Sequence, residues 1–231
     1  MSKLHVVTIT GADDKVRHED MVALSEEFPF VEWGILSSQS RMGTPRYPSR
    51  EWIEELPDSL RTSCHVCGVW SREILDGNRG LEPYKLYNRF QINGFAAERA
   101  SDAFLKSARL QGGQLILPVR SNAGADYSNT LTIAKKVGAS VLYDPSGGRG
   151  VGPEDWEKAP LPVGVRMGYA GGISPDNVVE VIEKLDRKPH EAPGYWIDME
   201  SGVRSDKDAL DLDKVHRVLA LAAPYCEAHA S

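Results

Sequence analysis

The 231-residue sequence predicts an α/β fold, a (β/α)8 TIM barrel, and three observations predict it. Short runs rich in β-branched residues alternate with segments of helical spacing along the chain. The length lies within the range of about 200 to 400 residues that such barrels occupy. Three late loops rich in glycine each follow a predicted strand, which is where barrels bind phosphate groups. We therefore expect one domain over residues 1–231.

Eight segments have the length and composition of strands. Their spacing leaves room for a crossover helix between most neighbours, as parallel pairing requires. An open doubly wound sheet shows the same alternation, but it usually carries its glycine-rich phosphate turn after the first strand. The late position of the glycines favours the closed barrel. The predicted strands are Leu4–Ile9, Val31–Leu36, Ser63–Trp70, Arg89–Ile92, Gln114–Pro118, Ser140–Asp144, Val163–Tyr169 and Tyr195–Asp198.

The helices are clearest late in the chain. Ser174 can cap the amino terminus of a helix, and Pro175 fits its first turn. The last two helices each carry an apolar stripe at helical spacing, formed by Val178, Val181, Ile182 and Leu185 and by Leu212, Val215, Leu219 and Ala222. Two further helices are predicted over Ala97–Gln111 and Tyr127–Val137. The segment Leu75–Leu86 contains two glycines and a proline, which predict a short or irregular helix.

Composition restricts the classes of partner. The net charge is −6 and no run of lysine or arginine is present, which argues against nucleic-acid binding. Three cysteines are too few for a disulfide framework and suit a reducing compartment. The start of the chain lacks the features of a signal peptide, and no segment approaches the roughly 18 apolar residues of a membrane span. We expect a cytoplasmic protein that binds a small molecule and no membrane.

Two neighbouring late loops carry the residues expected to bind phosphate. Gly171 and Gly172 precede a helix, so free backbone amides could approach a phosphate without interference from Cβ atoms. Ser201 and Gly202 stand in the next loop. Paired glycines can also serve only to make a tight turn between a strand and a helix. The occurrence of two such loops side by side favours phosphate binding.

Three charged residues stand near the ends of predicted strands. Asp144 ends a hydrophobic strand before a glycine-rich loop, a position suited to a general acid. Asp198 occupies a similar place on the last strand. Aspartate at a strand end is also a common turn cap, so one of the two can be purely structural. Arg46 follows the second strand and could bind a carboxylate with two hydrogen bonds.

The motif Cys64-x-x-Cys67 lies in a predicted strand. Residues three apart in a strand point to opposite faces, so the pair does not predict a metal or redox site. The glycine-rich segment Gly147–Gly152 has the spacing of neither a dinucleotide fingerprint nor a P-loop. We therefore expect neither a metal nor a cofactor.

Taken together, these segments resemble the phosphoribosylanthranilate isomerase family from the first strand to the last helix. The matching motifs are Thr44-Pro45-Arg46-Tyr47, Leu142-Tyr143-Asp144 with its glycine-rich loop ending at Asp155-Trp156, Ala170-Gly171-Gly172-Ile173-Ser174-Pro175-Asp176-Asn177-Val178, Ile197-Asp198-Met199-Glu200-Ser201-Gly202-Val203 and Lys207-Asp208.

The resemblance implies a barrel enzyme of tryptophan biosynthesis that performs an Amadori rearrangement without metal or cofactor. It places Asp144 at the position of the general acid, which protonates the ribose ring oxygen. It also implies that Arg46 binds the anthranilate carboxylate and that Asp198 contacts the substrate. The phosphate would be held by the backbone of Gly171, Gly172, Ser201 and Gly202.

The sequence departs from the family at two polar positions. The family's general base, which takes the proton from the second sugar carbon, is the cysteine of a Lys-Ile-Cys-Gly motif; here Thr10 stands at that position. Asn93 stands where the family has histidine. A threonine hydroxyl does not ionise near neutral pH as a thiol can. Asp13, Asp14 and His65 are alternative bases, although their spacing does not support them.

Three hypotheses follow from this pattern. The chain is an isomerase acting on a phosphorylated sugar, a barrel that binds phosphorylated ligands without catalysis, or a different phosphosugar enzyme that keeps the glycine loops but uses Asp144 otherwise.

Overall fold

The computed structural model describes residues 4–110, 114–120, 124–161, 164–191 and 194–226. Eight parallel strands close into a barrel in chain order, because β1 pairs with both β2 and β8. The predicted (β/α)8 fold is confirmed. The strands are β1 (Leu4–Thr10), β2 (Val31–Ser38), β3 (Thr62–Cys67), β4 (Arg89–Ile92), β5 (Leu115–Val119), β6 (Ser140–Tyr143), β7 (Met167–Ala170) and β8 (Tyr195–Met199).

Helices follow most strands and cover the outside of the barrel. They are α1 (His18–Glu27), α2 (Arg50–Glu54), α3 (Gly68–Leu75), α4 (Asp102–Arg109), α5 (Gly124–Val137), α6 (Val178–Asp186) and α7 (Leu212–Ala222). In the described part of the connection from β6 to β7, a short 3-10 helix, Trp156–Lys158, stands in place of an α-helix. Both predicted apolar stripes are largely buried against the barrel.

Several predicted boundaries were wrong for local reasons. The third strand ends at Cys67, because Gly68 has a φ of +67° and starts α3. The predicted helix over Ala97–Gln111 is divided into a 3-10 turn and α4, whose cap is Ser101; Gln111 lies outside the described residues. The seventh strand begins at Met167, and Val163 also lies outside the described residues.

The sixth helix begins later than Ser174 and Pro175 predict. Residues 174–177 form a turn, and α6 starts at Val178 with Asn177 at its cap position. The Asn177 side chain accepts a hydrogen bond from Ser174 N at 2.9 Å and donates one to Gly172 O at 2.8 Å. These two bonds hold the turn against the loop after β7, so the chain enters the helix only afterwards.

A buried ion pair lies inside the barrel, towards the amino-terminal ends of the strands. Arg89 Nη2 and Nε lie 2.6 and 2.9 Å from the two carboxylate oxygens of Glu32, and Thr8 Oγ1 donates to Glu32 at 3.0 Å. Burial alone would raise the pKa of Glu32, but the Arg89 charge and these hydrogen bonds hold it below its ordinary value. Glu32 is therefore charged and fully paired.

An apolar layer inside the barrel is formed by Val6, Ile116, Leu142 and Trp196. A Cβ atom at Gly168 would overlap the Trp196 ring, so this glycine makes room for the indole. The larger hydrophobic core lies between the strands and the surrounding helices. None of the helices in the described residues is long and apolar enough to cross a membrane.

Candidate active site

A cavity of about 810 Å³ opens at the carboxyl ends of the strands. Because all strands are parallel, these ends meet on one face of the barrel, where barrel enzymes carry their active sites. The cavity lining includes the eight residues to which the sequence analysis assigned a catalytic, substrate-binding or phosphate-binding position, namely Thr10, Arg46, Asp144, Gly171, Gly172, Asp198, Ser201 and Gly202. The structure thus brings together in one cavity residues from distant parts of the chain.

The floor of the cavity is formed by Thr10, His65 and Asp198. Thr10 Oγ1 donates a hydrogen bond to Asp198 Oδ1 at 2.8 Å. His65 Nε2 lies 3.9 Å from Asp198 Oδ2, which is beyond hydrogen-bond distance. The three residues are 2%, 3% and 6% exposed, so water contributes little to their solvation. A Cβ atom at Gly34 would overlap Thr10 Oγ1, so the neighbouring strand leaves space for this hydroxyl.

The floor carries an unusual charge distribution. Burial raises the pKa of Asp198 to about 7, and the negative charges of Glu200, Glu32 and Asp144 add to the effect, while the Thr10 hydrogen bond opposes it. Burial lowers the pKa of His65 to about 4. His65 is therefore neutral at pH 7, and its position near Asp198 does not make an ion pair.

Asp144 follows β6 and lies half-buried on the cavity wall. Its Oδ1 accepts hydrogen bonds from Ser146 N at 3.1 Å and Ser146 Oγ at 2.7 Å, and its Oδ2 accepts one from Gly148 N at 2.6 Å. The carboxylate therefore closes the turn that begins the glycine-rich loop after β6. It combines the turn-cap position considered from the sequence with access to the cavity.

The three late loops pack backbone against backbone. Gly171 and Gly172 have φ values of +112° and +63°, which side chains disfavour. A Cβ atom at Gly172 would lie 2.5 Å from Gly152 N, and one at Gly202 would overlap Ile173 O. The glycines are therefore required for loop packing as well as for any approach by a ligand. Since α6 begins only at Val178, the amides next to Gly172 belong to a turn and not to the helix terminus expected from the sequence.

Arg46 reaches the cavity, but its guanidinium group is already paired. Its Nη1 lies 2.7 Å from Glu200 Oε1, and its Nη2 and Nε lie 2.7 and 3.0 Å from Asp208 Oδ1. These carboxylates raise the pKa of Arg46. Asp13 Oδ2 accepts a hydrogen bond from Arg46 N at 2.8 Å and helps to hold this residue at a φ of +74°.

Of the three alternative bases, only His65 lines the cavity. Asp13 bonds the backbone of Arg46, and Asp14 bonds Ser49; both lie outside the cavity lining. His65 lines the cavity, although burial keeps it neutral. Sequence spacing did not identify its place beside Asp198, because β3 and β8 meet only across the interior of the closed barrel.

Two amides from β4 and the residues after it also line the cavity. Asn93 Nδ2 donates to Cys67 Sγ at 3.1 Å, and Gln91 Nε2 donates to Asn93 Oδ1 at 2.6 Å. Gln91 Oε1 is buried without a hydrogen-bond partner in the described part of the chain. Asn93 was singled out from the sequence, whereas Gln91 was given no role. Gln91 shares the inward face of β4 with Arg89, and the alternation of side chains along a strand was the signal available.

Comparisons with known proteins identify similar chains, although no protein-family model matches this one. N-(5'-phosphoribosyl)anthranilate isomerase of Geobacter sp. (strain M21) is 38% identical over 234 residues, covering 96% of this chain and 98% of that protein. The enzyme of the same name from Citrifermentans bemidjiense is 28% identical over 234 residues, with 96% and 97% covered.

Solved structures show the same fold. Phosphoribosyl anthranilate isomerase from Thermus thermophilus aligns with a TM-score of 0.60 at 20% identity, covering 95% of this chain and 98% of that one. Another such isomerase, in complex with reduced 1-(o-carboxyphenylamino)-1-deoxyribulose 5-phosphate, has a TM-score of 0.60 at 19% identity, with 96% and 100% covered. The close sequence relationship to the Geobacter enzyme over nearly the whole length of both chains shows that this chain belongs to the phosphoribosylanthranilate isomerase family.

Proposed function

We propose that this chain converts N-(5'-phosphoribosyl)anthranilate into 1-(o-carboxyphenylamino)-1-deoxyribulose 5-phosphate. The observation that carries the proposal is that carboxylates after β6 and on β8 line the same cavity as the glycine loops after β7 and β8. Its volume of about 810 Å³ is within the usual range for small-molecule sites. The names of the relatives support the same reaction.

Ring opening is the first chemical requirement of this reaction. The bond between C1 and the ring oxygen breaks, the nitrogen lone pair forms a C1=N bond, and the ring oxygen takes a proton. Asp144 is the proposed donor, because it lies on the cavity wall and its orientation is held by Ser146 and Gly148. A positioned acid of this kind contributes roughly 10² to 10⁴ in rate.

The second requirement is removal of the proton from C2. Thr10 stands at the position of the family's base, but its hydroxyl donates a hydrogen bond to Asp198. Because the Thr10 hydroxyl keeps its proton and donates it in this hydrogen bond, we do not propose Thr10 as the base. Another group on the cavity floor must accept the C2 proton.

The phosphate is assigned to the loops after β7 and β8. Gly171, Gly172 and Gly202 expose backbone without side chains, and Ser201 adds a hydroxyl group beside them. Arg46 is assigned to the anthranilate carboxylate. To bind it, Arg46 must give up its ion pair with Glu200 or with Asp208. Asp198 completes the proposed set of residues that contact the substrate.

A second candidate function is a barrel that binds a phosphorylated ligand without isomerising phosphoribosylanthranilate. The pairing of Arg46 with two carboxylates of the chain favours it, because a substrate carboxylate meets competition there. Thr10 in place of a cysteine favours it as well. This function predicts saturable ligand binding with no turnover of phosphoribosylanthranilate.

The test is to mix the purified protein with phosphoribosylanthranilate and follow the loss of its fluorescence. The Asp144→Asn variant, purified in the same way, controls for contaminating isomerase of the expression host. Rapid loss that the variant abolishes supports the proposed isomerase. Equal rates for both proteins, or no loss with either, would contradict it, and saturable binding without turnover would favour the second function.

A further inference from the structure

We propose that Asp198 is the base that removes the C2 proton and that Thr10 is the residue that positions it. This inference rests on the proposed isomerase function and assigns its second chemical step to a residue that the family resemblance implies only as a substrate contact.

The carboxylates in and around the barrel interior differ in how many of their oxygens accept hydrogen bonds. Both oxygens of Glu32 accept hydrogen bonds from Arg89, and both oxygens of Asp144 accept bonds from its own loop. Asp198 differs, because Thr10 occupies only Oδ1. Among the described residues no donor lies within hydrogen-bond distance of Oδ2. Asp198 therefore keeps one oxygen available to a reacting molecule.

The location of Asp198 also suits a base. Asp198 lines the cavity together with Thr10 and His65 and is 6% exposed. Its Oδ1 accepts a hydrogen bond from Thr10 Oγ1 at 2.8 Å, so the carboxylate lies beside the side chain at the position of the family's base. The space left by Gly34 allows Thr10 to hold this orientation.

The charges around Asp198 favour its protonated form. The charged groups that affect Asp198 are Glu32 on β2, Asp144 after β6 and Glu200 after β8, all of which are acidic. His65 on β3 is neutral at pH 7. Burial and these charges raise the pKa of Asp198 to about 7, near the pH at which a general base combines sufficient ionisation with sufficient proton affinity.

The step balances without any further reactant. The C2–H bond breaks, its electron pair forms C1=C2, the pair of the C1=N bond returns to nitrogen, and Asp198 Oδ2 takes the proton. The resulting enaminol then takes a proton at C1 from Asp198 and gives its C2 hydroxyl proton to the Asp144 carboxylate, which had protonated the ring oxygen. The ketose forms and both carboxyl groups return to their starting states.

The test compares the pH profiles of kcat/KM for four proteins. The wild type should show an acidic limb near pH 7. The kcat of Asp198→Asn should be lower than that of the wild type by a factor of about 10² to 10⁴. Thr10→Val should move the acidic limb to higher pH by about one pH unit, because the hydrogen bond it removes stabilises the charged carboxylate. Thr8→Val is the matched control, since Thr8 is buried on the same strand but bonds Glu32, and it should leave the limb in place.

A rescue experiment separates lost chemistry from lost structure. Adding Thr10→Cys to Asp198→Asn supplies a thiol at the neighbouring position. The kcat of this double variant should be at least tenfold higher than that of Asp198→Asn alone. Circular dichroism of each variant checks folding. If Asp198→Asn does not fold, the Thr10→Val limb shift still decides the role of Asp198.

The outcomes distinguish the two proposals. Turnover by the wild type with Asp198→Asn within about threefold of it would overturn the role of Asp198 and leave the isomerase function standing. A Thr10→Val shift in the alkaline limb would show that Asp198 acts as an acid and would also overturn the assignment. No turnover by the wild type would overturn the isomerase function itself, and the assignment of Asp198 with it.

Discussion

Arg46 and Glu200 form an ion pair at the rim of the cavity, with 2.7 Å between Nη1 and Oε1. Both side chains are about one-quarter exposed, at 27% and 25%, so solvent screens the pair only in part. Asp208 binds the other side of the same guanidinium group. A carboxylated ligand that uses Arg46 must therefore compete with carboxylates of the chain itself.

We expect Glu200→Gln to lower the KM for phosphoribosylanthranilate by about three- to tenfold, because an ion pair of this exposure is worth about 1 kcal/mol. Steady-state kinetics at low salt measure the KM of the variant and of the wild type. Glu180→Gln is the control, since Glu180 pairs with Lys184 on α6, in an ion pair that does not line the cavity. An unchanged or higher KM for Glu200→Gln would show that Arg46 does not bind the substrate carboxylate.

The same substitution should also affect the floor of the cavity. The charge of Glu200 raises the pKa of Asp198, so its removal should lower that pKa and move the acidic limb of kcat/KM to lower pH. The direction is opposite to that expected for Thr10→Val, whose lost hydrogen bond had lowered the pKa. Shifts in the same direction for both variants would contradict this electrostatic account.

Asp198 should make the stability of the protein depend on pH. Its pKa is about 7 in the folded chain against an ordinary value of 3.8, so the folded state holds the proton more tightly. The stabilisation is present below pH 3.8 and is lost as pH rises to about 7. Asp198→Asn cannot ionise, so its unfolding free energy relative to that of the wild type should rise by on the order of 3 kcal/mol between pH 5 and pH 8.

Urea unfolding of both proteins at pH 5 and pH 8 measures this difference. Asp176→Asn is a suitable control, because that carboxylate is largely exposed and forms an ion pair with Arg217, likewise at the surface. A difference between Asp198→Asn and the wild type that stays constant with pH would show that Asp198 is not destabilised by burial of its charge.

The buried ion pair should be strongly coupled to stability. Glu32→Gln leaves Arg89 buried beside an uncharged partner and should cost about 3 to 5 kcal/mol of unfolding free energy. The pKa of Glu32 in the folded protein is held below its ordinary value. The ion pair therefore stabilises the protein at pH values above the ordinary pKa, and this stabilisation is lost as the pH falls through the lowered pKa. Glu54→Gln breaks an exposed pair with Arg50 and should cost less than about 1 kcal/mol. Similar losses for the two variants in urea unfolding would contradict the prediction.

Gly172 should be required by both its conformation and its surroundings. Gly172→Ala introduces a Cβ atom 2.5 Å from Gly152 N at a φ of +63°, so the loops after β6 and β7 must separate. We expect at least a tenfold rise in KM together with a loss of stability of about 1 to 3 kcal/mol. Gly124→Ala is the matched control, because Gly124 has a φ of +88° with nothing within 4 Å, so it tests the strain alone. If both variants raise KM equally, loop separation is not the cause.

The barrel and the membership of its cavity were largely predictable from the sequence. Strand-sized apolar runs recur with helical segments between them, and eight parallel strands place all their carboxyl ends on one face. Asp198 was assigned to the site because it ends a predicted strand, whereas Thr10 was assigned to it only through the resemblance to the isomerase family. Boundaries such as the start of α6 were not predictable, because side-chain bonds from Asn177 to the preceding loop outweigh the capping preference of Ser174.

The sequence by itself determined the fold class, the glycine loops and the absence of a cysteine at position 10, because these depend on residue type and spacing along the chain. Only the tertiary structure decided that Thr10 donates to Asp198, that His65 lies beside them and that Arg46 is paired with Glu200. These relationships join residues up to 188 positions apart. They arise when barrel closure brings β1, β3 and β8 around a common interior, where burial and neighbouring charges, rather than residue type, set the protonation of each group.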